Sequence, residues 1–206
     1  MAIRIITPPA SEPVTLAEMK AWARIDATGD TAADAANDAL LSSLITAARE
    51  EAENLTRRAI LMQTLELTLP GFPRWGQGVE LPRPPLAAVE SAAYFDAGNA
   101  SVTMDEAAYV VLNASDAVPP SLYPAPGGFW PDTFRRADAV TIRYTAGWPN
   151  AAAVPENIKT WIKMRVATLW ANRESIVAGN VSASAVEVPS RFADGLLDRW
   201  RIMEVS

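Results

Sequence analysis

The chain has 206 residues, 50% hydrophobic and 20% charged, with a net charge of −6. That supplies apolar surface for one domain or two small ones and argues against wholesale disorder. With no Cys and no His, it excludes disulfides, thiolate and iron–sulfur sites, Cys nucleophiles, the imidazole base of a Ser–His–Asp triad and the usual His-bearing zinc sites.

An enzyme built on this chain would have to work with carboxylates, Lys, Arg, Tyr or Ser. A general nucleic-acid binder shows a basic excess, and this chain is acidic. An acidic wall instead repels phosphates and lets DNA slide past. No stretch approaches the roughly 20 apolar residues of a membrane span. The opening MAIRIITPPASEP, with one Arg and a short apolar run broken by Pro8 and Pro9, does not read as a signal peptide. Cytoplasmic synthesis is therefore expected, which makes the N-x-S/T sequons at Asn54, Asn99, Asn113 and Asn180 chance matches.

Residues 1–14 read as an extended arm, because Thr7-Pro8-Pro9 and Pro13 favour polyproline or β conformation. A helix starts at Thr15. Glu18 completes a capping box, Val14 is placed to staple the first turn, and Leu16, Met19, Trp22 and Ala23 form an apolar stripe. It ends near Asp26, where Asp26-Ala27-Thr28-Gly29-Asp30 reads as a loop. A second helix is predicted from Thr31 to Arg58, free of Pro and Gly, with Leu40, Leu41, Leu44, Ile45, Ala48, Ala52 and Leu55 at helical spacing. Asp34 and Asp38 suit the positive end of its dipole, and Arg57 and Arg58 the negative end. Glu53 and Arg57 form an i,i+4 pair.

The period then changes. Leu65, Leu67 and Leu69 alternate with Thr64, Glu66 and Thr68, as in a half-buried strand. Further strands are predicted at Val79–Leu81, Val89–Phe95, Ser101–Met104, Tyr109–Leu112 and Val140–Tyr144, with a hairpin connection at Asp96-Ala97-Gly98-Asn99. Pro82, Pro84 and Pro85 confine their segment to an edge or an irregular stretch. Residues 114–137, rich in Pro, Gly and aromatics including Tyr123, Phe129 and Trp130, read as one long loop that carries interactions of its own.

Helical spacing returns after Trp148-Pro149. Pro155 fits a first helical turn, and Ile158, Trp161, Ile162, Val166, Leu169 and Trp170 form an apolar face up to Glu174. Residues 176–190 read as a linker, and Arg191–Met203 as a last short helix capped by Ser190. The fold class is α+β: a small amphipathic helical bundle with an inserted β-rich domain between helix two and helix three, plus a linker and a C-terminal docking helix. The divisions are 1–60 for the arm and first two helices, 61–148 for the β-rich domain, 149–175 for the third helix, and 176–206 for the linker and last helix.

Few side chains suggest chemistry. Asp26, Asp30, Asp34 and Asp38 recur every four residues, but acids collect at helix N-termini anyway and no calcium-loop spacing is present. Glu50, Glu51 and Glu53 resemble a hydrolytic carboxylate pair only by proximity, and neighbouring Arg49, Arg57 and Arg58 neutralise them. Gly127-Gly128 lacks the Lys-Ser/Thr of a phosphate loop. Of the seven Trp residues, Trp22 and Trp161 are expected in the core. Trp75, Trp130 and Trp148 lie in turns, where a carbohydrate-stacking role stays open. No catalytic residue, metal or cofactor is expected.

The last helix presents Phe192, Leu196, Leu197 and Trp200 flanked by Arg191, Arg199 and Arg201. Trp and Arg are preferred interface anchors, and a helix this short is not stable alone. It either folds back on its own chain or docks on a partner, and its tether favours a neighbouring subunit. On the docking reading, residues 189–206 can be removed without loss of fold.

Taken in order, ITPPASEPVTLAEMKAWARID, ITAAREEAENLTRRAILMQTLELTL, ELPRPPLAAVESAAYFD, VTIRYTAGW and VPENIKTWIKMRVATLWANRE resemble the head–tail connector, or adaptor, proteins of long-tailed phages, prophages and phage-like gene transfer agents. The resemblance spans most of residues 3–174. It implies a non-catalytic ring, usually of twelve copies, bound beneath the portal. Such a ring extends the DNA channel without sequence-specific DNA contact and offers a platform to a stopper or tail-completion protein. Shorter connectors lack most of the β block seen here at 61–146. That block would enlarge the ring's outer surface, contact the capsid or brace adjacent subunits. The rival readings are a monomeric, carboxylate- or Mg-dependent enzyme and a carbohydrate-binding module.

Overall fold

A computed structural model describes residues 1–74, 76–112, 118–171 and 193–202. The chain divides into two compact units. One takes Met1–Ala10, Arg57–Pro149 and, at the C-terminal end, Ile202. The other takes Ser11–Thr56 and the described residues of Asn150–Arg201.

The first unit is built of strands: β1 (Ala2–Thr7), β2 (Gln63–Leu69), β3 (Val79–Glu80), β4 (Leu86–Phe95), β5 (Ser101–Thr103), β6 (Tyr109–Leu112), β7 (Ser121–Pro124) and β8 (Val140–Ala146). They form a five-stranded sheet in the order β1-β2-β8-β4-β5 and a three-stranded sheet in the order β3-β7-β6, antiparallel throughout. The period-2 pattern sets the register. Leu65 stands opposite Tyr144 and Leu67 opposite Ile142, all four fully buried, while Glu66 stands opposite Arg143 on the other face. These residues join Ala92 and Val140 with Val79, Leu81, Tyr109 and Leu122 in one core. Burying each such side chain contributes about 1.5–3 kcal/mol. Tyr144 keeps its polar end satisfied by donating its hydroxyl to the Pro82 carbonyl at 2.7 Å. Burial pushes that phenol well above its ordinary range.

Two expectations need revision here. The N-terminal arm is a paired edge strand, since β1 bonds along β2 from Ala2↔Thr68 to Thr7↔Thr64. The long loop predicted over 114–137 contains β7, which is the central strand of the smaller sheet. Proline at both ends of Ser121-Leu122-Tyr123-Pro124 disguises it, because Pro ordinarily argues against a central strand. Here Pro124 falls at the strand's last position. The Asp96–Asn99 hairpin connection forms as expected, with Asp96 accepting from Gly98 and Ala100 N–H at 2.9 Å each.

The second unit contains α1 (Leu16–Ala23), α2 (Thr31–Thr56) and α3 (Glu156–Ala171). The capping box is present: Glu18 N–H donates to Thr15 Oγ1 at 3.2 Å, and Thr15 N–H donates to Glu18 Oε2 at 2.8 Å. Val14 and Met19, in the staple positions, are fully buried. The left-handed conformation of Arg24 (φ 53) closes α1, and that of Arg57 (φ 57) follows the end of α2. The buried face of α2 is Leu41, Ile45, Ala48, Arg49, Ala52, Glu53 and Thr56. It is rotated from the predicted stripe, leaving Leu40 and Leu55 37% and 36% exposed. On α3, Ile158, Trp161, Ile162 and Val166 are buried, and Arg165 Nε donates to Glu51 of α2 at 2.7 Å.

The helix predicted over 191–203 is shorter and tighter. Ala193 and Asp194 make a helical turn, and Asp198–Trp200 form a 3₁₀ turn. Leu197, Trp200 and Arg201 donate to carbonyls three residues back. Gly195, between the two turns, weakens a continuous helix. Arg191 and Phe192 lie outside the described residues.

Candidate assembly interface

The C-terminal segment closes on its own unit. Trp161 Nε1 donates to Asp194 Oδ1 at 3.2 Å, and Leu197 is fully buried. Leu196 is half-buried. Arg201 pairs with Asp198 at 3.2 Å. The Arg199 guanidinium lies 5.4 Å from the centre of the half-buried Trp200 ring. Among the described members of the set, Arg199 is the exposed one and Leu197 is buried. Removing 189–206 would take away the buried Leu197 and the Asp194 carboxylate that accepts from Trp161 Nε1.

Most of the acidic residues singled out have structural partners. Asp30 Oδ1 accepts from Ala32 and Ala33 N–H, and Asp34 Oδ1 from the Thr28 N–H and hydroxyl. Those Thr28 bonds, the backbone one first, hold the Asp34 carboxyl below its ordinary range. Asp38 pairs with Lys20. Arg49 gathers Glu12 at 2.8 Å, Glu53 at 3.2 Å and Glu50 at 3.5 Å. Among the described residues, no group of three or more acids is placed to hold a metal ion. No described helix is long and apolar enough to cross a membrane.

The outer face of the five-stranded sheet is polar and internally paired. Glu66 accepts from Arg4 at 2.6 Å and Arg143 at 2.9 Å across three adjacent strands. These bonds, Arg143 first, hold the Glu66 carboxyl below its ordinary value. Glu90 accepts from Thr145 at 2.5 Å and Thr64 at 3.3 Å. Arg136 lies 3.6 Å over the Phe95 ring and makes a two-bond fork with Asp138 at 2.6 and 2.8 Å. A shallow hollow of about 280 Å³ beside Arg4, Glu66 and Asp138 is polar and open.

The tryptophans divide differently from expectation. Trp161 is buried, but Trp22 is 49% exposed with Lys163 Nζ 5.9 Å from its ring centre. Trp130 stacks on Phe72 at 4.5 Å and 2° and donates Nε1–H to Gln77 O at 2.8 Å. That stack covers one face of the ring that the sugar-stacking reading needs. Trp75 lies outside the described residues. Next to Trp130, Phe129 is 87% exposed. Its loop is fixed by Gly127 at φ 78 and by Gly128 N–H donating to Ala125 O at 2.8 Å. An aromatic side chain on such a base suits an interface anchor. Sequence reading grouped Phe129 with the other loop aromatics; its position directly after Gly127-Gly128 is the local signal that sets it apart.

The sequence matches no protein-family model and no curated protein. The fold has clear relatives among solved structures. A chain in the neck of an empty gene transfer agent particle with sixfold symmetry superposes with a TM-score of 0.77 at 24% identity, covering 100% of this chain and 98% of that one. A chain of the native gene transfer agent virion gives 0.75 at 23%, with 100% and 98% covered. A chain of the native particle's neck with twelvefold symmetry gives 0.72 at 21%, with the same coverage. The α+β fold of this chain is therefore the fold of gene transfer agent neck proteins along its whole length.

Proposed function

We propose that this chain is a structural adaptor in the neck of a phage-like particle. It forms a ring of twelve copies beneath the portal, extends the DNA channel and gives a stopper or tail-completion protein its platform. The observation that carries the reading is the end-to-end likeness to neck chains, at a TM-score of 0.77 over 100% of this chain. The twelvefold symmetry of one neighbour's neck supports the copy number. The net charge of −6 suits a channel through which DNA passes without adhering. The chain is made in the bacterial cytoplasm and incorporated during particle assembly, and it performs no catalysis. Arg199, Trp200 and Arg201 supply its C-terminal contact with the portal or a neighbouring subunit, together with Arg191 and Phe192.

Removal of the chain from a producing cell tests this directly. The expected product is DNA-filled heads that carry a portal and lack tails, restored when the chain is supplied in trans. Complete tailed particles in its absence would overturn the reading.

A further inference from the structure

An edge strand with free N–H and C=O groups pairs with whatever strand reaches it, and soluble proteins blunt such edges with charge, proline or a bulge. β6 carries none of these. Its residues are Tyr109, Val110, Val111 and Leu112, its register is regular, and among the described residues β7 is its one neighbour in the sheet. Val110, Val111 and Leu112 are 44%, 41% and 54% exposed. Val111 stands opposite the fully buried Leu122, so it points to the core side, yet it remains open to solvent. The core is unfinished at this margin.

β1 forms a second margin, marked by Arg4 and by a register shift between Ile5 and Thr7. Among the described residues it pairs with β2 alone. Ile3 and Ile5 stand opposite the buried Leu67 and Leu65, again on the core side, and are 36% and 46% exposed. The two margins differ in charge. Residues 1–10 carry Arg4 as their one charged side chain, whereas 105–112 carry Asp105 and Glu106, both exposed.

Head-to-tail closure of a ring requires two unlike surfaces on each copy. We propose that β6 of one copy pairs edge to edge with β1 of the next, so that Val111 and Ile3 and Ile5 cover one another on the core side. The occupant of each open edge is a second copy of this chain, held by main-chain bonds in the manner of strand addition. The inference deepens the ring reading and rests on it. It gives the β-rich unit the task of bracing adjacent subunits.

The chain has no cysteine, so engineered thiols are the only ones it carries. Ile5→Cys and Val111→Cys single variants are mixed, assembled with the portal ring and treated with a short bis-maleimide. Covalent dimers containing one copy of each variant are expected at roughly ten times the yield of either variant alone. The I5C/V111C double variant is expected to give a ladder of covalent oligomers. Val111→Lys should weaken ring assembly by roughly tenfold or more while the isolated chain melts as before. Rings of normal mass with no such cross-link, or with cross-links only to the portal, would overturn the edge pairing and leave the ring intact. No self-association by the wild-type chain, on the portal or off it, would overturn both.

Discussion

Arg49 and Glu53 meet one turn apart on the buried face of α2, with 3.2 Å between Nη1 and Oε2 and exposures of 5% and 2%. The same guanidinium reaches Glu12 at 2.8 Å, and Glu12 in turn accepts from Thr46 at 2.9 Å. This arrangement ties the segment before α1 to the middle of α2. Removing one member of a buried ion pair strands the other charge away from water. Arg49→Ala should therefore destabilise the helical unit by roughly 3 kcal/mol. The double variant Arg49→Met with Glu53→Leu should recover much of that loss. Chemical denaturation followed by far-UV circular dichroism measures both, and an Arg49→Ala loss below about 1 kcal/mol would contradict the assignment.

Two glycines with positive φ separate backbone strain from crowding. At Gly147 (φ 114) an added Cβ would fall 2.2 Å from the Leu61 carbonyl oxygen, whereas at Gly76 (φ 69) it meets nothing within 4 Å. The close approach at Gly147 accompanies the Leu61–Trp148 bridge, where Met62 N–H donates to Trp148 O at 3.0 Å. Gly76→Ala should cost about 1 kcal/mol, the price of the left-handed backbone alone. Gly147→Ala should cost about 3 kcal/mol or more, because the backbone must also move. Equal losses at the two sites, measured by urea titration, would show that crowding at Gly147 is absent.

Local capping is testable at Thr15. Its hydroxyl accepts from Glu18 N–H, while its own N–H and hydroxyl donate to the Glu18 carboxylate. Thr15→Ala should reduce stability by about 1 kcal/mol. Thr15→Ser, which keeps the oxygen, should restore most of it, and a failure of Ser to rescue would argue against the cap.

Glu66 gives the sheet unit a signed pH dependence. Hydrogen bonds from Arg143 and then Arg4 hold its carboxyl below the ordinary value of 4.5. A carboxyl lowered in the folded state contributes stability that is present above the unfolded pKa and lost as pH falls through the folded pKa. The wild-type chain should therefore melt higher than Glu66→Gln at pH 7, and the gap should shrink as pH drops below 4.5. A gap that widens on acidification would reverse the assigned sign.

Signals confined to a few neighbouring residues were legible in the sequence. Thr15 and Glu18 announce the capping box because both partners lie within one turn. The alternation of Leu65, Leu67 and Leu69 announces β2 because a two-residue period has no helical counterpart. Signals that depend on distant partners were not legible. β1 looks like a free arm until β2, more than fifty residues later, supplies its ladder. Leu122 looks like part of a loop until β6 and β3 flank it. Arg49 looks like one more charge beside Glu50, Glu51 and Glu53 because nothing local shows that Glu12 folds onto it. Trp22 looks like core because its stripe is apolar, yet Lys163 on α3 and solvent share its ring.

The C-terminal segment shows the same limit. Its Trp and Arg content marks an anchor, but its balance between folding back and docking turns on Asp194 meeting Trp161 and on Leu197 being buried. Point variants are therefore cleaner than truncation. Arg199→Glu with Trp200→Ala should weaken portal association while retaining the helical signal, whereas removal of 189–206 should lower the melting temperature. Undiminished portal association by the point variant would remove this segment from the contact.

The most direct test of the adaptor assignment is the mass of the complex formed when the purified chain is mixed with the portal of its own particle. The account predicts a stable assembly with equal copies of the two chains, twelve of each, persisting across a range of salt concentrations. No association at any salt concentration would contradict docking beneath the portal.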